Sequence, residues 1–232
     1  MEMTRKRETN ENYVHACDSE LLIPNDFICS ISQAGFETEE FFKIIEFYVL
    51  NAPILKSDKT DLFGQRSLKD YKWVGNSGLS KLERELLKKS GIQSFCFIKA
   101  TSIKETLNQM LLGDGRWCVE HPRAILKQDF SINVMESGRA EVSSKETRMV
   151  CLFRHMRNAI AHNHIYIFDN GNMVLEDVDA QNNDITARIL LKKSTLIDWI
   201  TVVKKENSSK DELKTKEICN VEKAESIDIK IA

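Results

Sequence analysis

Arg154-His155-Met156-Arg157-Asn158-Ala159-Ile160-Ala161-His162 sits inside a longer amphipathic stretch running from about Ser144 to Asn163. Met149, Leu152, Phe153, Met156 and Ile160 recur at helical spacing and predict one apolar face on a helix. Basic residues and an amide interrupt that pattern within two turns. Ser143-Ser144-Lys145-Glu146 reads as a capping box, with Ser143 at the N-cap and Glu146 three residues on.

An ideal helix decides which of these groups act together. Each residue advances about 100°, so Arg154, Asn158 and His162 fall on one strip, roughly opposite Met149 and Ile160. They are expected to point away from the core. Arg157 lies about 140° from His162 on the same wheel. A site that uses both needs the helix to end or bend near His162, or needs a second copy of the helix.

Arg157-Asn158-Ala159-Ile160-Ala161-His162 resembles the signature of the HEPN superfamily (higher eukaryote and prokaryote nucleotide-binding domains). There an arginine is followed by a polar residue and, four to six residues after the arginine, by a histidine. The resemblance is best from Ser144 to about Lys205. Upstream it amounts to a set of candidate helices.

Spacing alone does not select the motif, because Arg116 to His121, Arg148 to His155, Arg157 to His162 and Arg157 to His164 all meet it loosely. Context separates them. Trp117 follows Arg116, and Pro122 directly after His121 disfavours helix there. Met149, an apolar-face residue, follows Arg148. Only Arg157 has a polar successor, small residues at Ala159 and Ala161, and a histidine near a helix end. His164 is the rival to His162, since some HEPN toxins carry a tyrosine at the offset of Tyr166. His162 is preferred because it shares a strip with Asn158.

The HEPN resemblance implies metal-independent RNA cleavage. Attack of a ribose 2′-hydroxyl on the adjacent phosphate needs a base near neutrality, a donor for the departing 5′-oxygen and positive charge on the phosphorane oxygens. The catalytic candidates are His162 for proton transfer, Arg157 for the phosphate, and Asn158 to orient substrate or histidine. Arg154, His155, His164 and Tyr166 are the candidate substrate-binding residues. One histidine cannot be base and acid at the same instant. A homodimer joining two motifs in one cleft supplies both, as in family members that act as symmetric dimers. The resemblance further implies a prokaryotic toxin or antiviral effector, with an antitoxin or regulator as partner.

The chain has 232 residues and 42% hydrophobic content, enough for one sizeable domain with appendages or two small ones. Its 33 basic and 35 acidic residues give a net charge of -2, so any RNA contact must be local. The six cysteines form no Cys-x-x-Cys pair, which argues against a zinc site; no cofactor or metal is expected. With no 18-residue apolar run, the chain reads as soluble and cytosolic, without membrane contact.

Residues 1–12 read as a loose, disordered tail, 13–206 as the HEPN-like domain, and 207–232 as a charged C-terminal tail. Short helices are expected from Tyr13 to Ile23 and from Asp26 to Ala34, and a central one from Thr38 to Leu50. Capping boxes at Ser80-Lys81-Leu82-Glu83 and Ser102-Ile103-Lys104-Glu105 predict two more, the first closing at Gly91. Residues 113–143 lack periodicity and read as a long loop. After His162, Asn170-Gly171 between two apolar runs signals a hairpin, Ile185–Leu191 a third strand, and Ser194 the cap of a last helix. The expectation is a mainly α-helical HEPN-type bundle with a small β appendage at about 164–191.

Plainer readings stand beside this one. Without the family pattern, an arginine and a histidine on a helix surface are more often solvated or structural groups. Trp73, Trp117 and Trp199 read as packing residues, and Glu176, Asp177, Asp179 and Asp184 as an acidic loop that fits no metal-ligand spacing. The alternative functions are a HEPN-like module that binds RNA, a nucleotide or a protein without cutting, and a structural subunit whose basic helix packs on an acidic partner.

Overall fold

The computed structural model describes residues 13–15, 31–54, 66–99, 103, 106, 116–118, 122–134, 140–168, 170–181 and 184–205. Nine strands lie among them: β1 Tyr13–His15, β2 Phe95–Ile98, β3 Arg116–Cys118, β4 Arg123–Lys127, β5 Phe130–Val134, β6 Ala140–Ser144, β7 Ile165–Ile167, β8 Asn172–Val178 and β9 Ile185–Lys192. The helices are α1 Thr38–Ile44, α2 Gly75–Ser90, α3 Arg148–Ala161 and α4 over 195–205. Helix α1 continues through Ile45–Leu50 with wider, π-type bonding, and Asn51 N–H closes it by donating to Glu46 O.

A five-stranded mixed sheet in the order β2-β4-β9-β8-β7 forms the centre. Only β2 and β4 run parallel; the other neighbours are antiparallel. This corrects the expected helical bundle with a β appendage. The hairpin and third strand foreseen at 164–191 do form, but β8 and β9 are, with β4, interior strands of the main sheet. Both are buried on both faces, so the alternation of buried and exposed positions that marks an appended hairpin is missing, and the charged residues Glu176, Asp177 and Arg188 lie inside.

The stretch 113–143, expected as a loop, contains β3, β4 and β5 and the start of β6. Short strands that pair non-locally leave little periodicity to read. Pairing also overturns the capping box at Ser143. Ser143 and Ser144 are taken up by the β6 ladder opposite Ser131 and Phe130, and α3 is capped instead by Thr147, whose Oγ1 accepts from Val150 N–H at 3.3 Å. Helix α2 likewise starts at Gly75, ahead of Ser80, but closes as expected at left-handed Gly91. Tyr13–His15, expected as helix, pairs with β3, and Ile31–Gln33 forms a 3-10 turn. The helix expected after Ser102 lies almost wholly outside the described residues.

The helices and one face of the sheet share a single hydrophobic cluster. Its centre is aromatic: Phe47 packs edge-on against Tyr48 and Phe153, and Phe95 against Trp199. Polar atoms brought inside find partners there. Tyr48 Oη donates to Leu196 O, Trp73 Nε1 to Val203 O and Trp199 Nε1 to Leu86 O. Trp73 and Trp199 are therefore packing residues; Trp117's side chain lies outside the described set.

Helix α3 buries Met149, Leu152, Phe153, Met156 and Ile160, the apolar face read from the sequence, against β8, β4 and the end of α1. At about 1.5–3 kcal/mol for each large side chain removed from water, this face outweighs the Thr147 cap, which contributes about 1 kcal/mol. Packing on the sheet, not local signals, fixes where α3 lies.

Candidate active site

Helix α3 ends at the motif histidine. Ala161 is its last residue, His162 is the C-cap and Asn163 adopts a left-handed φ of 62°. Asn163 N–H donates to Ile160 O at 3.2 Å and His164 N–H to Ala159 O at 2.8 Å, the paired bonds of a Schellman stop. Asparagine is the residue other than glycine that best tolerates this conformation. The chain then turns directly into β7. His162 is exposed and His164 half-buried, with ring centroids 6.3 Å apart. The helix end that a site using both Arg157 and His162 demands is present.

Helix α3 carries three arginines, and their partners differ. Arg148 pairs with Glu83 at 2.8 Å. Arg154 donates from Nε and Nη2 to the two oxygens of Glu146, at 2.9 and 2.6 Å. Burial alone would raise the pKa of Glu146, but the hydrogen bond and charge of Arg154 outweigh it and hold this carboxyl below its ordinary range. Arg157 has no carboxylate within ion-pair distance among the described residues. Its Nη1 donates to Asn158 Oδ1 at 3.2 Å, while its Nε is buried without a partner.

Asn158 faces two ways. Its Nδ2 donates to Asp177 Oδ2 at 3.1 Å, and its Oδ1 receives Arg157. A flipped amide would set oxygen against carboxylate and NH2 against guanidinium, so both neighbours require this orientation.

Asp177 Oδ2 also meets His155 Nδ1 at 2.6 Å. His155 is 1% exposed, and its Nε2 lies 2.8 Å from Lys127 O. Each ring nitrogen thus faces an oxygen, the Asp177 carboxylate on one side and a backbone carbonyl on the other. Arg154 Nη2 stands farther off, at 3.3 Å from Nε2. His155 thus ties α3 to β4 and β8 from inside the protein.

Of the carboxylates read as an acidic loop, Asp179 and Asp184 do lie in the connection between β8 and β9, but Glu176 and Asp177 are part of β8, and strand alternation sends these two to opposite faces. Asp177 faces α3. Glu176 faces away, opposite Arg188 in the ladder, and accepts from Arg188 Nε and, at 3.3 Å, from Tyr166 Oη. Burial pushes the Glu176 pKa up, against the opposing charge of Arg188. Burial, reinforced by Glu176, also raises that of Tyr166.

The structure therefore collects Arg157, Asn158, His162 and His164 around the end of α3. It places Arg154, His155 and Tyr166 in contacts within the protein. Asp177 and the Lys127 carbonyl were missed by sequence reasoning. Two acids inside an apolar run after an Asn-Gly turn were the available sign of Asp177; nothing in the sequence marks a backbone carbonyl. Among the described residues no three or more His, Cys, Asp or Glu side chains are grouped to hold a metal ion, and no helix is long and apolar enough to cross a membrane.

Comparison with curated proteins and with solved structures finds no match. A family model does match: HEPN pEK499 p136, over residues 83–216, more than half of the chain and including α3 and its motif. By that match the chain belongs to the HEPN family.

Proposed function

We propose that this HEPN domain is an endoribonuclease that cleaves RNA by attack of a ribose 2′-hydroxyl on the adjacent phosphate, leaving a 2′,3′-cyclic phosphate. The observation that carries the reading is Arg157, the one arginine of α3 without a carboxylate partner among the described residues, on a helix that ends at an exposed motif histidine. A half-buried guanidinium whose described hydrogen bond goes to a neutral amide keeps its charge for an anion at its exposed side. An RNA phosphate is such an anion, and guanidinium matches phosphate oxygens in geometry as well as charge.

In this mechanism Arg157 stabilises charge on the phosphorane. His162 moves the proton, and Asn158 holds the arginine. A second copy of the chain supplies the second imidazole, so that one histidine acts as base while the other protonates the leaving 5′-oxygen. The cellular role would be that of a toxin or antiviral effector held in check by a partner.

The test is cleavage of labelled RNA, with EDTA present, by wild type, Arg157→Ala, His162→Ala and His164→Ala, with RNA binding measured in parallel. Loss of cleavage by about 100-fold or more in Arg157→Ala and His162→Ala, with binding retained in His162→Ala, supports the reading. RNA binding without cleavage in the wild type makes the domain a binding module instead.

A further inference from the structure

Arg157 owes its uncompensated charge to its surroundings, and those surroundings converge on one carboxylate. Asp177 is 6% exposed and sits on α3's side of the sheet. An aspartate there would ordinarily pair with a nearby arginine. Instead its Oδ2 takes Asn158 Nδ2 and His155 Nδ1, and the far side of the Asn158 amide takes Arg157 Nη1. The amide is a spacer: it transmits orientation from strand to arginine and keeps the two opposite charges apart. His155, fixed by Lys127 O, prevents the carboxylate from turning away.

We propose that Asp177 is a positioning residue for Arg157: acting through Asn158, it sets the direction of the guanidinium while leaving its charge free for an RNA phosphate. The proposal rests on the ribonuclease reading for its consequence in catalysis, and on the geometry alone for the orientation of Arg157. Asp177 touches no substrate. Its effect belongs to the transition state, because a misdirected guanidinium still attracts RNA but no longer meets the phosphorane oxygens.

The experiment uses the full-length chain and three variants, Asp177→Asn, Asn158→Ala and the exchange Asn158→Asp with Asp177→Asn. Two quantities are read: kcat and KM on a fluorogenic RNA oligonucleotide, corrected for folded fraction, and the Arg157 Nε–Hε NMR cross-peak, assigned with Arg157→Lys. Asp177→Asn is expected to lower kcat roughly 10- to 100-fold with KM changed by less than about threefold, and to shift or broaden the cross-peak.

The exchange is decisive against a merely structural role. It restores a carboxylate–amide contact between positions 158 and 177, but sets the carboxylate against Arg157. Recovery of stability with kcat still at least about tenfold down supports the proposal; recovery of wild-type kcat overturns it. Wild-type kcat and an unmoved cross-peak in Asp177→Asn also overturn it. Should an Asp177 variant fail to fold, an unchanged cross-peak in Asn158→Ala overturns the proposal and a displaced one supports it. If the wild type cuts no RNA, the ribonuclease reading fails by itself, and the cross-peak still decides whether Asp177 orients Arg157.

Discussion

Replacing His155 with phenylalanine removes both ring-nitrogen contacts of α3's most buried polar side chain while nearly preserving its volume. The loss can be worked from the geometry. The contact to Asp177 at 2.6 Å involves a carboxylate, a class of hydrogen bond that contributes about 1.5–3 kcal/mol. The contact to Lys127 O at 2.8 Å is to a backbone carbonyl, for which about 0.5–1.5 kcal/mol is typical. Neither partner is wholly orphaned, because Asp177 keeps Asn158 and Lys127 O keeps a longer contact from Arg154. The added apolar burial of phenylalanine returns roughly 1 kcal/mol. The net expectation is a destabilisation of about 1–3.5 kcal/mol, below the 5–15 kcal/mol of an ordinary domain, so the variant stays folded. Urea unfolding at pH 7, followed by the fluorescence of buried Trp73 and Trp199, measures it. RNA affinity of the folded fraction should stay within about twofold, since a side chain 1% exposed offers no surface to a phosphate. A change below about 0.5 kcal/mol together with a large loss of RNA binding would refute the reasoning and make His155 a substrate contact.

The remaining predictions concern charge, the helix stop and assembly. Glu146, whose pKa is held below 4.5 in the folded chain, contributes stability that is present above that value and lost as pH falls through the depressed one. Glu146→Gln should therefore unfold more easily than wild type at pH 7, by about 2 kcal/mol, and the gap should narrow in melts as the pH is lowered through the depressed value. Asn163→Gly should be neutral or stabilising by a few tenths of a kcal/mol, whereas Asn163→Val at a φ of 62° should cost about 1–2 kcal/mol and blur the helix end that presents His162, lowering cleavage along with stability. Mixing wild type with excess His162→Ala should lower the activity per wild-type chain, because each cleft needs an imidazole from both copies; unchanged activity per wild-type chain would place the whole site in one chain.

What could be read from the sequence was what is local. The apolar face of α3, the stop near His162, the turn at Asn170-Gly171 and the strand from Ile185 all depend on residues a few positions apart, and each is in the structure. The motif residues Arg157, Asn158 and His162 could be found for the same reason. The sheet was illegible as a whole because its order, β2-β4-β9-β8-β7, joins segments far apart in the chain. Buried on both faces, β8 and β9 lose the alternation that marks a half-solvated strand. The cap of α3 was misread because Ser143-x-x-Glu146 has the form of a capping box while the ladder to Phe130 and Ser131 uses that backbone. Asp177 was misassigned for a related reason: adjacent acids look like a loop until strand alternation separates one toward Arg188 and the other toward Asn158.

The chemistry assigned to Arg157 and His162 leaves its mark on the ends of the cleaved RNA. An RNA oligonucleotide cut by the wild-type chain and an all-DNA oligonucleotide of the same sequence would be incubated side by side with EDTA, and the products identified by mass spectrometry. The expected products are 2′,3′-cyclic phosphate and 5′-hydroxyl ends from the RNA and an untouched DNA strand, because the attacking oxygen is the ribose 2′-hydroxyl. Cleavage of the DNA strand, or 3′-hydroxyl and 5′-phosphate ends on the RNA, would contradict it.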